Sequence, residues 1–196
     1  MLGRWIGRLL RGVKAGERHL AWNHPACAGA PDTLVLRSAG FGAAQAIPLR
    51  YAGQGVGENV SPPLAWRDIP VATRELVLIV EDPDAPLPRP FVHLIVCGIG
   101  PELHELAEGA LSCAPPGDLL ARWRAGLTLG RNTFRHPSYA GPRALPGHGQ
   151  HRYLFQLFAL DQRLRFDQAP TLKLLLAAMN GHVLARGRLE GRFERP

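Results

Sequence analysis

The chain has 196 residues, the length of one domain with a sizeable core. A hydrophobic share of 46% and a charged share of 20% exclude a disordered or fibrous chain, and no run approaches the roughly 20 apolar residues of a membrane span. The formal net charge of +7 attracts anionic partners, but the arginines are scattered rather than interleaved with aromatics, so specific nucleic-acid binding is not expected.

Cys27, Cys97 and Cys113 lack CxxC spacing, which argues against a disulfide framework or a zinc ribbon and for a cytoplasmic location. The 22 glycines and 18 prolines favour turns and therefore a strand-rich body.

Residues 1–22 place Leu2, Trp5, Ile6, Leu9, Leu10 and Val13 at helical spacing, with Arg4, Arg8, Arg11 and Lys14 around the remainder. The spacing predicts an amphipathic helix preceding a domain over 23–196. Its apolar stripe is expected to pack on the domain or on a second subunit, with attachment to anionic lipid as the alternative. After a connector at 23–32, Thr33–Leu36 and Ala46–Leu49 read as short strands around a turn at Gly40 and Gly42. Gly53–Gly57 lacks the third glycine of a nucleotide loop, Glu58 taking its place, and reads as a turn. In Asn59–Trp66, NVSPPLAW, two prolines stiffen a segment that delivers Trp66 to the core, with Ser61 able to lend a hydroxyl to a pocket.

Leu76–Val80 and Phe91–Cys97 are apolar runs rich in Val and Ile, read as buried strands on either side of a proline-rich loop. Asp82 precedes Pro83 and is biased to extended backbone, so Asp84 two positions on can face the same way. His93 lies within the second run. Carboxylates in such a place require a partner or a ligand.

Residues 101–109 read as a connector, and Gly117–Trp123 as a short helix after Pro115 and Pro116. Asn132–Gln150 has no periodicity across 19 residues, the mark of a functional loop, with His148 expected to face solvent. His151–Asp161 alternates, placing His151 and Tyr153 on one face with Phe155, Leu157 and Ala159. Thr171 caps a predicted helix over Leu172–Met179, stopped at Asn180–Gly181. A second helical turn or two is expected over His182–Ala185, and a closing strand over Arg188–Phe193.

Three motifs in this order, SPPLAW at 61–66, DPDAP at 82–86 with His93 downstream, and Gly141-Pro142 followed by HRYLFQLFALD at 151–161, resemble the phosphatidylethanolamine-binding protein family, in its bacterial Raf-kinase-inhibitor-like branch. The resemblance implies an all-β fold: an antiparallel β-sandwich with Greek-key connections and small C-terminal helices, here with the N-terminal amphipathic helix outside the common core. It implies a pocket built from Asp82, Asp84, His93, Gly141, Pro142, His151 and Tyr153. Leu94 stands where the family has tryptophan, and Arg143-Ala144-Leu145-Pro146 where it has a proline pair. The implied role is non-catalytic binding of a phosphoryl or phosphoethanolamine-like group, regulatory in character, without cofactor or metal and with a homodimer as a possible assembly.

Such a pocket would draw its donors from protonated histidine, tyrosine hydroxyl, loop N–H groups and Arg143. Either one aspartate carries a proton, or both pair with the histidines and with a ligand ammonium. A hydrolase using the Asp/His cluster and a kinase- or protease-inhibiting surface are the alternatives. A zinc or manganese site on Asp, Asp, His and His is the weaker option, with no H-x-x-x-H helix to hold it.

Overall fold

In the computed structural model, which describes residues 2–112 and 126–195, the described strands are Val35–Arg37 (β1), Gln45–Ala46 (β2), Leu64–Arg67 (β3), Glu75–Asp82 (β4), Phe91–Ile99 (β5), Glu105–Leu106 (β6), Thr128–Leu129 (β7), His151–Leu160 (β8) and Val183–Phe193 (β9). The described α-helices are Leu2–Leu9 (α1), Pro25–Ala28 (α2) and Leu172–Met179 (α3).

A six-stranded sheet has the order β2-β9-β8-β4-β5-β7 and a three-stranded sheet the order β1-β3-β6. Every pairing is antiparallel except β2 on β9. β4 is central because both its faces are apolar and all of its residues are buried. The two-residue period of a strand divides it: Leu76, Leu78 and Val80 join Trp66, Leu36 and Phe155 in the core under the small sheet. Val77 and Ile79 join Trp22, Phe158, Leu175 and Met179 on the opposite face, under the helices. Burying each such side chain contributes about 1.5–3 kcal/mol. Trp66 is anchored by its indole N–H, which donates to the Leu103 carbonyl at 2.8 Å.

Several expectations shift by an element. β2 is shorter than expected, and Leu49–Tyr51 forms a 3-10 turn. The 101–109 connector carries β6, which pairs with β3. Thr171 caps α3 and Gly181 takes φ 83°, but the chain then enters β9 at Val183 rather than a further helical turn. The reason is a period of two: Ala185, Leu189 and Phe193 face the core, and Gly187 lets the Leu34 carbonyl lie where a Cβ would come within 2.0 Å. The helix expected at 117–123 and Cys113 lie outside the described residues.

The largest departure is at the N-terminus. α1 ends at Leu9, and its apolar stripe does not pack on the domain: Trp5 is 71% and Leu9 85% exposed. The docked face is Gly7, where an added Cβ would come within 2.0 Å of the Pro146 carbonyl. A glycine allows this backbone approach, and the bulky side chains are left turned outward. Beyond α1, the arm crosses the acidic loop: Ala15 N–H donates to the Ala85 carbonyl (2.9 Å) and Gly16 N–H to the Pro83 carbonyl (2.8 Å). It then enters the core, where Leu20 and Ala21 are fully buried.

Candidate functional site

The end of β4, the starts of β5 and β8 and the long loop converge under this arm. Asp82 closes β4, and its Oδ1 accepts the Asp84 N–H (2.8 Å), which fixes the turn through Pro83. Asp84 is saturated. Its Oδ2 accepts Arg152 N–H (2.9 Å) and Arg152 Nε–H (2.8 Å), and its Oδ1 accepts Arg152 Nη2 (3.0 Å) and Lys14 Nζ (3.1 Å). Burial alone would raise its pKa, but these donors prevail and hold it down at about 2. Asp84 is therefore an ion-paired carboxylate and not the protonated member of the pair. Arg152 reaches onward to the Glu17 carboxylate.

The histidines form a chain. His151 Nδ1 lies 2.7 Å from Asp82 Oδ2, His151 Nε2 lies 2.8 Å from His148 Nδ1, and His148 Nε2 lies 3.1 Å from the Val13 carbonyl. The carbonyl at one end can only accept, so His148 carries its hydrogen on Nε2. Filling all three contacts takes three hydrogens, one more than two neutral imidazoles supply, so Asp82 and the two histidines share one further proton. His148, expected in solvent, is instead 3% exposed, because the arm covers it.

His93 is clamped to the long loop: its Nδ1–H donates to the Ala140 carbonyl (2.6 Å), and Ala140 N–H donates to the His93 carbonyl (3.0 Å). Gly141 and Pro142 follow directly. Gly141 N–H donates to Asn59 Oδ1 (2.8 Å), and Gly53 N–H donates to the Pro142 carbonyl (2.9 Å). A Cβ on Gly141 would come within 2.2 Å of the Tyr51 carbonyl, which explains the glycine. The Gly53–Gly57 turn thus serves as the seat of this loop.

Tyr153 stands between the two imidazoles, its ring 5.0 Å from that of His93 and 6.5 Å from that of His151. All seven expected site residues are buried, and the two strand histidines share one side of the sheet. Two atoms there lack partners: His93 Nε2 and the Tyr153 hydroxyl. Burial pushes the Tyr153 phenol well up, and the Asp82 charge adds to it; the Arg143 backbone N–H acts the other way but falls short of bonding geometry. Burial holds His93 below its ordinary value, opposed by Asp82 and the Ala140 carbonyl.

Sequence reasoning missed Lys14, Glu17 and the inward role of His148. The His-x-x-His spacing at 148 and 151 was the one available signal. Ser61 does not serve this site: its hydroxyl accepts the Leu111 N–H (2.9 Å). Among the described residues, no three His, Cys, Asp or Glu side chains stand as a metal-holding group. Burial pushes Cys27 up to about 12 and Cys97 further, so neither thiol is activated.

A family model described as "Phosphatidylethanolamine-binding protein" matches residues 37–194. The chain belongs to the phosphatidylethanolamine-binding protein family. It is 37% identical over 166 residues to a UPF0098 protein of Chlamydia trachomatis, covering 83% of this chain and 99% of that one. It is 36% identical over 167 residues to a UPF0098 protein of Pyrococcus abyssi, covering 85% and 89%. Among solved structures, a phosphatidylethanolamine-binding protein homologue from Chlamydia trachomatis superposes with a TM-score of 0.71 at 34% identity, covering 84% of this chain and 99% of that one. E. coli YbcL shares the fold at a TM-score of 0.73 and 22% identity, over 84% and 99% of the two chains. The matched family region begins after the arm, so the arm's cover over the site lies outside it. No helix among the described residues is long and apolar enough to cross a membrane.

Proposed function

We propose that this protein binds a small phosphoryl or comparable anionic group at His93 and Tyr153, without catalysis, and that its N-terminal arm regulates access. The observation that carries the reading is the pair of buried, unpartnered polar atoms, His93 Nε2 and the Tyr153 hydroxyl, on rings 5.0 Å apart. A buried polar atom without a partner costs about 1–3 kcal/mol, which a ligand returns by bonding to it. Tyr153 donates as it stands. His93 donates from Nε2 only when protonated, so an arriving anion draws a proton onto it. The Asp82–His151–His148 chain holds the adjacent wall with its members already bonded to one another. Lys14 occupies Asp84 as the ammonium of an ethanolamine-like ligand would, which makes the arm an internal competitor.

Isothermal titration with O-phosphoethanolamine and with inorganic phosphate tests this. Affinity is expected to fall as pH rises from 5 to 9, and Tyr153→Phe to weaken binding about tenfold, the loss of one buried hydrogen bond. Affinity flat across that range, or unchanged in Tyr153→Phe, would overturn the assignment. Lys14→Met is expected to tighten O-phosphoethanolamine more than phosphate.

The exposure of Trp5 and Leu9 favours a second role for the arm. With Arg4, Arg8 and Arg11 beside them, these side chains suit an anionic lipid surface. Sedimentation with phosphatidylglycerol vesicles, lost in Trp5→Glu, is the expected result; equal sedimentation of the variant would exclude this role.

A further inference from the structure

On the opposite side of β4 lies a half-open cleft of about 990 Å³, walled by the 18–25 segment, the 87–92 loop, the 131–135 turn and the start of α3. Its lining carries five cations, Arg18, Arg89, Arg131, Arg135 and Lys173, and one acid, Glu81. Apolar surface between them comes from Leu87, Val92, Leu172 and Leu176. The first turn of α3 opens on the same space, and its capping Thr171 satisfies only the Leu174 N–H (3.4 Å). A helix N-terminus adds positive potential to that of the side chains.

The deciding feature is Glu81. It is fully buried, and its Oε2 accepts the Ala21 N–H and Gln156 Nε2–H, both at 2.8 Å. Its Oε1 has no partner. An acid with one idle oxygen, among five cations that none of the described ion pairs engages, is built to meet something that comes from outside. A carboxyl in its neutral form donates from that oxygen, which suits an acceptor carrying negative charge. Burial favours the neutral form, pushing the Glu81 pKa up to about 7 against the two donors that lower it.

We infer that this cleft binds a single-chain anionic amphiphile, its carboxylate or phosphate held by Glu81 and the surrounding cations and its chain lying on the leucines. The site is separate from that of His93 and Tyr153 and does not depend on it. A half-open cleft of this size is ample for a chain of about ten carbons, since ligand pockets run from about 300 to 1,000 Å³. Anion binding retains the Glu81 proton, so affinity falls as pH rises through neutrality. The other groups that face Glu81 or the ligand are His19 and His24 on the arm, Cys27 on α2 and Gln156 on β8, besides the five cations, and Arg186 on β9 stands behind Cys27, bonded to its carbonyl. A Glu81 variant separates the contribution of this acid from that of the two histidines.

The test is calorimetric titration of the full chain with decanoate and decyl phosphate, with decyl maltoside as the uncharged chain and inorganic phosphate as the head without a chain. Methyl chemical shifts at Leu172 and Leu176 locate the binding. Saturable binding of both anions at one site is expected, with decyl maltoside and phosphate each at least about tenfold weaker. Arg89→Glu combined with Lys173→Glu should cost a further factor of about ten, and raising pH from 6 to 8.5 a similar factor. In Glu81→Gln most of that pH dependence should vanish while the fold persists. No saturable binding of either anion at millimolar concentration, indifference to the paired charge reversal, or a pH dependence unchanged in Glu81→Gln would each overturn the assignment. Preference for decyl phosphate over decanoate would identify the head group as phosphoryl.

Discussion

Asp84 and Glu81 are three residues apart and both are buried carboxyl groups, yet their pKa values shift in opposite directions. Asp84 takes three hydrogen bonds from Arg152 and one from Lys14 and stays ionised down to a pKa of about 2. Glu81 takes two from neutral donors, Ala21 N–H and Gln156, and is pushed up to about 7. Burial pushes both acids up; at Asp84 the charged donors overcome it, and at Glu81 two neutral donors do not. The Asp84 side is complete in its ion pairs and covered by the arm, and the Glu81 side is incomplete, with one idle oxygen beside the open cleft.

Breaking the complete side should have the largest effect. Asp84→Ala removes the carboxylate between Arg152 and Lys14, leaves Arg152 only its Glu17 contact and frees the Arg152 backbone N–H, so a loss of about 3–5 kcal/mol is expected by urea unfolding at pH 7. A loss below 1 kcal/mol would show that the Arg152 pair is no more than a surface ion pair. In the native protein the Asp84 contribution, about 2 kcal/mol from its depressed pKa, is fully present above pH 4 and is lost as pH falls toward 2.

That contrast was half legible in the sequence. Proline restriction and strand periodicity pointed Asp82, Asp84 and His93 toward one another and put His151 and Tyr153 on one face, while only the family resemblance joined the two groups in one pocket. The partners that set their charges were not legible. Lys14 reaches Asp84 across 70 residues, and Glu81 meets Ala21 across 60, through an arm whose arginine-flanked leucines read as a longer helix. Val183-Leu184-Ala185-Arg186 likewise has helix-forming residues, but tertiary pairing with β8 overrides that preference. Short local patterns placed the strands, while long-range contacts decided what the strand ends do.

The incomplete side gives the next effect, of opposite sign in pH. Glu81 retains its proton in the folded chain between the ordinary value of 4.5 and about 7, while the unfolded chain releases it. Stability therefore declines through that window, by about 3 kcal/mol in all. Glu81→Gln should abolish the decline, leaving the variant more stable than the parent at pH 8 and little changed at pH 5. Parallel stability curves for the two proteins from pH 5 to pH 8 would mean that Glu81 is ionised throughout.

His148 tests the closure of the complete side. His148→Leu removes the ring that joins His151 Nε2 to the Val13 carbonyl, and leaves both without that partner at a cost of about 2 kcal/mol. Amide exchange should quicken at Ala15 and Gly16, whose N–H groups are bonded to the loop beneath. If exchange there is unaffected, the histidine chain does not hold the arm.

Lys14→Met should have the smallest effect on stability. Its side chain is 47% exposed and Asp84 keeps the three Arg152 bonds, so solvent screening limits the loss to less than about 1 kcal/mol. Methionine retains the length and apolar stem of the side chain, so the arm can still lie across the loop through Ala15 and Gly16. Against that small change in stability, the removal of a resident cation from Asp84 should be plain in binding. O-phosphoethanolamine, which brings an ammonium of its own, gains over inorganic phosphate, which does not. An equal gain for both would mean that Lys14 merely obstructs entry, and no gain for either would mean that the arm moves aside without regard to its charge.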